Sequence, residues 1–236
     1  MLVLAHRGAN RLAPENTVTA FTRALELGAD GVELDVHRTH DGLLIVRHDA
    51  DTGAGVISDL PFATVRESLP DVPTLAEALD ACAGRLVNVE IKNLPGDPDW
   101  DPADRAAELL VGLLVARGGH DDVLVSSFNL ATVDRVRALD PAVPTAWLTF
   151  GRDPLESLDT AAVHGHSALH PDLWSLPGET DGAAGLEAVV ERAHELGVRV
   201  NVWTVNDDAD VVRMAAAGVD AVVTDVPDAA LRALGR

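Results

Sequence analysis

Short apolar runs of strand type alternate with amphipathic helical patterns eight times along this chain, and that rhythm restricts the fold more than any other feature. The runs fall at residues 2–6, 31–37, 86–92, 123–127, 144–149, 167–170, 199–205 and 221–225. Valine, leucine and isoleucine dominate them, as suits strands packed on a pleated surface. Between them lie patterns such as residues 16–27, with Val18, Phe21 and Leu25 on one face, and residues 186–196, with Leu186, Val189, Val190 and Ala193. That spacing is the signature of a helix packed on one side. Gly28, Gly197 and Gly218 follow three of the helices, where a left-handed cap is expected, and each leads into a strand. Eight such units in 236 residues fit a closed α/β barrel, the (β/α)8 or TIM barrel, whose usual size is about 250 residues. A doubly wound open sheet is the alternative. No stretch is rich enough in Pro, Gly or Ser to serve as a linker, so residues 1–236 are expected to form one domain.

One interruption breaks the rhythm after the second strand. Thr39-His40-Asp41-Gly42 is a turn signal, and Leu43 to Asp49 is a second extended run before any helix. Residues 50–73, rich in Asp, Gly and Pro, read as a short insertion or loop leading to a helix that begins at Leu75. Long loops on the C-terminal face of a barrel are usually functional.

Charge and composition exclude several classes of function. A formal net charge of -20 repels a phosphate backbone at long range, which argues against nucleic acid and against stable association with anionic membranes. No window approaches the roughly 18 apolar residues of a membrane span. The first residues run directly into His6-Arg7-Gly8 without a leader pattern, so a cytoplasmic protein is expected. Cys82 is the single cysteine, which excludes an intrachain disulfide and a thiolate cluster, and its apolar neighbours mark it as a buried filler. Of 18 basic residues all but one are arginine, and the solitary lysine is Lys92. The sequence leaves the oligomeric state open.

Strand alternation gathers the polar residues. In residues 32–37 the period of two sets Glu33, Asp35 and His37 on the face opposite Val32, Leu34 and Val36, and the next barrel strand repeats this with Glu90 and Lys92. If the apolar face packs under helices, Glu33, Asp35 and Glu90 point inward and converge at the barrel mouth. Three buried carboxylates need a cation, and hard oxygen ligands suit one divalent ion, Mg2+ or Ca2+. On an open sheet the same residues would simply face water. His6 ends the first strand and His48 ends the extra run, both where barrel chemistry is done, and histidine can take and give a proton near neutral pH. His37 shares the inward parity of Asp35 and is a candidate to support the site. His164-Gly165-His166 reads as a surface loop without a nearby carboxylate pattern, and the acidic residues 97–102 as a loop before a helix rather than a calcium loop. Trp203 is equally consistent with a core position and with packing against a substrate.

Taken in order, His6-Arg7-Gly8, Pro14-Glu15-Asn16-Thr17, Glu33-Leu34-Asp35-Val36, Thr39-His40-Asp41-Gly42, His48-Asp49, Pro73-Thr74-Leu75, Glu90-Ile91-Lys92, Ser127-Phe128-Asn129, Trp203-Thr204-Val205-Asn206 and Thr224-Asp225 resemble the signature of the glycerophosphodiester phosphodiesterases across essentially the whole chain. The resemblance implies a TIM barrel with metal ligands Glu33, Asp35 and Glu90, His6 and His48 as the acid/base pair, and Arg7 and Lys92 on the phosphate. It implies a small glycerophosphodiester as substrate, cleaved through a cyclic phosphate that water then opens. The sequence departs from the family at Ala50 to Gly55, where relatives usually carry a longer segment with an arginine, and this bears on the choice of substrate. Two alternatives accompany the reading: cleavage of a lipid phosphodiester, as by a lysophospholipase D or a cyclising phospholipase, and a non-catalytic barrel that binds a phosphate ligand.

Overall fold

The computed structural model describes residues 1–178 and 183–236. Its strands are β1 (Leu2–His6), β2 (Gly31–Arg38), β3 (Leu44–Val46), β4 (Leu86–Ile91), β5 (Asp122–Ser127), β6 (Thr145–Thr149), β7 (Ala168–Pro171), β8 (Arg199–Val202) and β9 (Ala221–Thr224). All but β3 pair in parallel in chain order, and β9 returns to β1, so the sheet closes into a TIM barrel. The open sheet is thereby excluded. β3 extends β2 in antiparallel fashion beyond the barrel mouth. The helices are α1 (Val18–Glu26), α2 (Phe62–Ser68), α3 (Leu75–Ala81), α4 (Arg105–Ala116), α5 (Leu130–Leu139), α6 (Pro154–His164), α7 (Ala183–Glu195), α8 (Asp208–Ala216) and α9 (Pro227–Ala233). Among the described residues no helix is long and apolar enough to cross a membrane.

The period of two in each strand decides what faces where. Val32, Leu34, Val36, Val87, Val89, Ile91, Val123 and Val125 are buried in one apolar layer with Phe21 of α1, Leu79 of α3 and Leu110 of α4. A matching layer on the other side joins Leu169, Val200, Val202 and Val222 to Leu158, Val189 and Met214. Residues of the opposite parity fill the interior. Its floor is apolar, with Leu4, Ala221 and Val223 in one cluster and Leu124, Ala146 and Ala168 in another, both touching Leu86. Gly31 belongs to this floor because a Cβ there would lie 2.2 Å from the Leu86 carbonyl oxygen. Only glycine lets β2 and β4 approach at that level.

Several boundaries differ from the sequence reading for identifiable reasons. The first helix begins at Val18 rather than at residue 16, because Thr17 caps it and Asn16 turns its side chain to β2. β8 ends at Val202 rather than at residue 205: Trp203 keeps only an isolated parallel bridge to Asp172, and a cis Trp203–Thr204 peptide follows it. The run at 43–49 forms only the three residues of β3. Residues 50–73 are more than a loop: a 3-10 turn at Ile57–Asp59 and α2 enclose their own core of Ile45, Ile57, Val65 and Val72. Thr74 and Glu77 then cap α3 reciprocally.

Candidate active site

The site is assembled from strand ends by register. His6 on β1 lies level with Glu33 on β2 and Glu33 with Asn88 on β4, while Asp35 and Glu90 pair one layer nearer the mouth. All three carboxylates are buried, and one oxygen of each lies within 4.8 Å of the others. Lys92, the first residue beyond β4, places its Nζ 2.8 Å from Asp35 Oδ1 and 2.6 Å from Glu90 Oε1. Arg7 donates its backbone N–H to Glu33 Oε2 at 3.1 Å, sets its Nε 3.3 Å from Asp35 Oδ2, and anchors its guanidinium on Glu15. The loop after β1 is shaped for this. Arg7 and Asn16 both have left-handed backbone, at φ 55° and 57°, and Gly8 lies so close to α1 that a Cβ would stand 2.6 Å from the Ala20 backbone. Such conformations persist where surrounding contacts impose them. Asn16 donates to Asp35 Oδ2 at 2.8 Å and accepts from the Asp35 N–H at 3.3 Å.

These neighbours divide the carboxylates. Burial, with the Asp35 charge added to it, pushes Glu33 up to about 8. Burial also raises Glu90, against the opposing pull of Lys92. Asp35 is equally buried, yet Lys92, Arg7 and the Asn16 amide hold it below the usual carboxylate range. The cluster therefore lacks the positive charge needed to ionise all three acids at neutral pH. A compact set of hard oxygen donors short of positive charge fits a divalent ion such as Mg2+ or Ca2+.

Both candidate histidines reach the same cleft, of about 430 Å3, lined also by Arg7, Glu33, Glu90 and Lys92. His6 Nδ1 meets Asp225 Oδ1 at 2.7 Å, which leaves Nε2 on the carboxylate side, 4.0 Å from Glu33. Burial opposes protonation of His6, but the Asp225 hydrogen bond and the Glu33 charge prevail and raise its pKa. Asp225 in turn is held far below its ordinary value, against the effect of burial, by His6, Asn10 and Asn206, all hydrogen-bonded to it. His48 pairs through Nδ1 with Asp49 at 2.7 Å. His37 lies buried beneath it, with Nδ1 2.5 Å from Asp99 and Nε2 3.0 Å from the His48 carbonyl oxygen. The acidic stretch before α4 is thus a loop, and it also seats the residue that supports His48.

Trp203 is partly buried and lies between the core and the cleft. It packs on Leu4, Ala221 and Val223, donates from Nε1 to the His170 carbonyl at 3.0 Å, and exposes part of its ring to the cleft beside the edge of Phe128. Asp225, Asn16 and Glu15 stand in the motifs quoted above, yet their contacts with His6, Asp35 and Arg7 follow only from the fold. His164 and His166 depart from the surface-loop expectation: His166 is buried, and Asp134 of α5 lies against both.

The model of the glycerophosphoryl diester phosphodiesterase family matches residues 6–229. A glycerophosphodiester phosphodiesterase of Caldanaerobacter subterraneus subsp. tengcongensis is 32% identical over alignments covering 96% of this chain and 95% of its own. One of Bacillus altitudinis is 30% identical, with 98% and 96% covered. Among solved structures, a glycerophosphodiester phosphodiesterase from Thermotoga maritima superposes with a TM-score of 0.77 at 27% identity, covering 100% of this chain and 98% of that one. A phosphodiesterase of Oleispira antarctica, solved with the product sn-glycerol-3-phosphate, shares the fold with a TM-score of 0.83 at 24% identity, covering 100% and 97%.

Proposed function

The chain belongs to the glycerophosphoryl diester phosphodiesterase family and is a phosphoric diester hydrolase, and from that premise we propose that it cleaves glycerophosphodiesters to an alcohol and glycerol phosphate with one divalent ion and two histidines. The observation that carries the reading is the convergence of His6, His48, Arg7, Lys92 and the three-carboxylate cluster on one cleft. The product named in the Oleispira antarctica structure is in keeping with this substrate class.

Glu33, Asp35 and Glu90 would hold the ion, Mg2+ or Ca2+. When bound, it supplies positive charge against the phosphate and the attacking oxygen. Lys92 and Arg7, both largely buried, add fixed positive charge where a developing oxyanion would need it. Asp225 fixes the ring of His6 through Nδ1, so that Nε2 is free to remove the proton of the glycerol hydroxyl beside the phosphate. That oxygen attacks phosphorus, and His48, steadied by Asp49 and His37, protonates the departing alcohol. Water opens the cyclic phosphate with the two histidines exchanging roles. A substrate with a nitrophenyl leaving group needs no general acid, so it should rescue His48→Ala and not His6→Ala. The opposite pattern would reverse the assignment.

A lysophospholipid is the second reading, favoured by Trp174, which lines the cleft with 76% of its surface exposed, and by Phe150, 65% exposed and 6.3 Å from the Trp203 ring. The test of function is product analysis of metal-stripped and metal-supplemented protein with glycerophosphocholine, glycerophosphoethanolamine, glycerophosphoglycerol and a lysophospholipid. Metal-dependent release of glycerol phosphate from one of the first three is expected. Turnover of the lysophospholipid alone would favour the second reading, and no turnover of any would overturn both.

A further inference from the structure

We propose that Asp134, His164 and His166 form a second metal site, suited to an ion of the zinc class, which clamps α5 to the turn between α6 and β7 at the N-terminal end of the barrel. His164 is the last residue of α6, and His166 stands two residues before β7. Asp134 lies in α5, and its Oδ1 is 2.9 Å from His164 Nδ1 and 3.2 Å from His166 Nε2. All three donor atoms fall within 4.8 Å of one another. Ligands about 2.0–2.1 Å from a tetrahedral ion are about 3.3 Å apart, so the donors already stand near the required spacing.

Two further features point to an ion rather than to an ordinary ion pair. The His166 side chain is fully buried, and its Nε2, though 3.2 Å from Asp134 Oδ1, makes no well-aligned hydrogen bond. A polar atom left so is costly unless something binds it. Its other nitrogen, Nδ1, is held 2.9 Å from Thr145 Oγ1 at the start of β6, the kind of outer contact that orients a metal-bound imidazole. Asp134 and His164 are each 37% exposed, so an ion can enter from solvent and keep water as a fourth ligand.

The surroundings select the class of ion. The Arg137 guanidinium packs so closely on Gly165 that a Cβ there would meet it at 2.7–2.9 Å. One carboxylate among the three donors offers little to Mg2+ or Ca2+, which bind through oxygen. Two imidazoles suit Zn2+, Co2+ or Ni2+. This site has the reverse chemistry of the carboxylate cluster and does not depend on the function proposed above.

The test is a titration of the chelator-stripped full chain with Zn2+ in excess Mg2+, read against a chromophoric competing chelator. Wild type and Glu90→Gln should both bind one Zn2+ that His164→Ala and Asp134→Asn lose. Outer-shell partners are worth about 10–100-fold in affinity, so loss of a ligand should weaken binding by at least about 100-fold. His164 and Asp134 are partly exposed, so these variants spare the buried His166, and circular dichroism checks that they fold. Absence of this Zn2+ in wild type, or its undiminished binding by both folded variants, would overturn the proposal.

Discussion

β1, β2 and β4 place His6, Glu33, Asp35 and Glu90 on the barrel interior, whereas β5 to β8 place Ser126, Leu148, His170 and Asn201 there. The second wall is buried as deeply as the first, yet it carries no carboxylate at these positions. Its one titratable group among them, His170, is pushed down to about 3, by burial above all and then by Arg199, and accepts a hydrogen bond from Asn201 at 2.8 Å. The contrast is one of charged against neutral residues within a single barrel interior. Charge gathers on neighbouring strands, where register brings carboxylates, lysine and arginine within contact. The neutral wall, with Phe128 and Trp203 lining the cleft above it, sets a low-dielectric face opposite the charged wall, where fields are less screened.

The largest effect expected from breaking this division comes from the histidine on the charged wall. His6→Ala should lower kcat by about 10²–10⁴-fold with folding intact, measured with glycerophosphocholine as substrate. Asp225→Asn keeps the shape of the pair but removes a charge that raises the His6 pKa. It should cost about 10–100-fold and move the lower limb of the pH–rate profile toward acid, because His6 then loses its proton more readily. An unchanged profile would detach Asp225 from His6 function. On the neutral side, Trp203→Ala should raise KM by about 10-fold and leave kcat within a few-fold, as expected of a group that binds substrate and transition state alike.

The smallest effect is on stability. Glu33 binds its proton more tightly in the folded chain than in the unfolded one, so the native state carries the extra proton between the ordinary carboxylate range and about 8. Stability of the metal-stripped protein should therefore fall as pH rises through that window, and the raised His6 pKa acts in the same direction. Thermal melts should lose at least about 2–4 °C, the equivalent of about 1 kcal/mol in a chain of this size. Glu33→Gln should flatten the slope, and a slope unchanged by it would remove Glu33 as its source.

The charged wall was the part most legible in the sequence. Glu33, Asp35 and Glu90 stand out because the strand period is two and their neighbours are uniformly apolar. Lys92 stands out as a lone lysine among arginines. The partners of these residues were not legible in the same way. Asp225 is 219 positions from His6, and only closure of β9 onto β1 brings them together. Asn16 reads as the start of a helix until its amide is seen on Asp35. Residues 50–73 conceal a helix because their apolar residues serve a local core of four buried side chains rather than the barrel. His166 shares its local pattern with exposed loops, and its burial depends on β6 and α5, which no local spacing records.

Calorimetric titration of stripped protein with Mg2+ and Ca2+, paired with glycerol phosphate release, tests most directly whether the carboxylate cluster holds the ion that hydrolysis needs. Wild type should bind one such ion per chain and regain activity in step with its binding. Glu90→Gln should lose both, with kcat/KM reduced by at least about 10³-fold. Full activity in the stripped protein, or binding and turnover unchanged in Glu90→Gln, would contradict that role of the cluster.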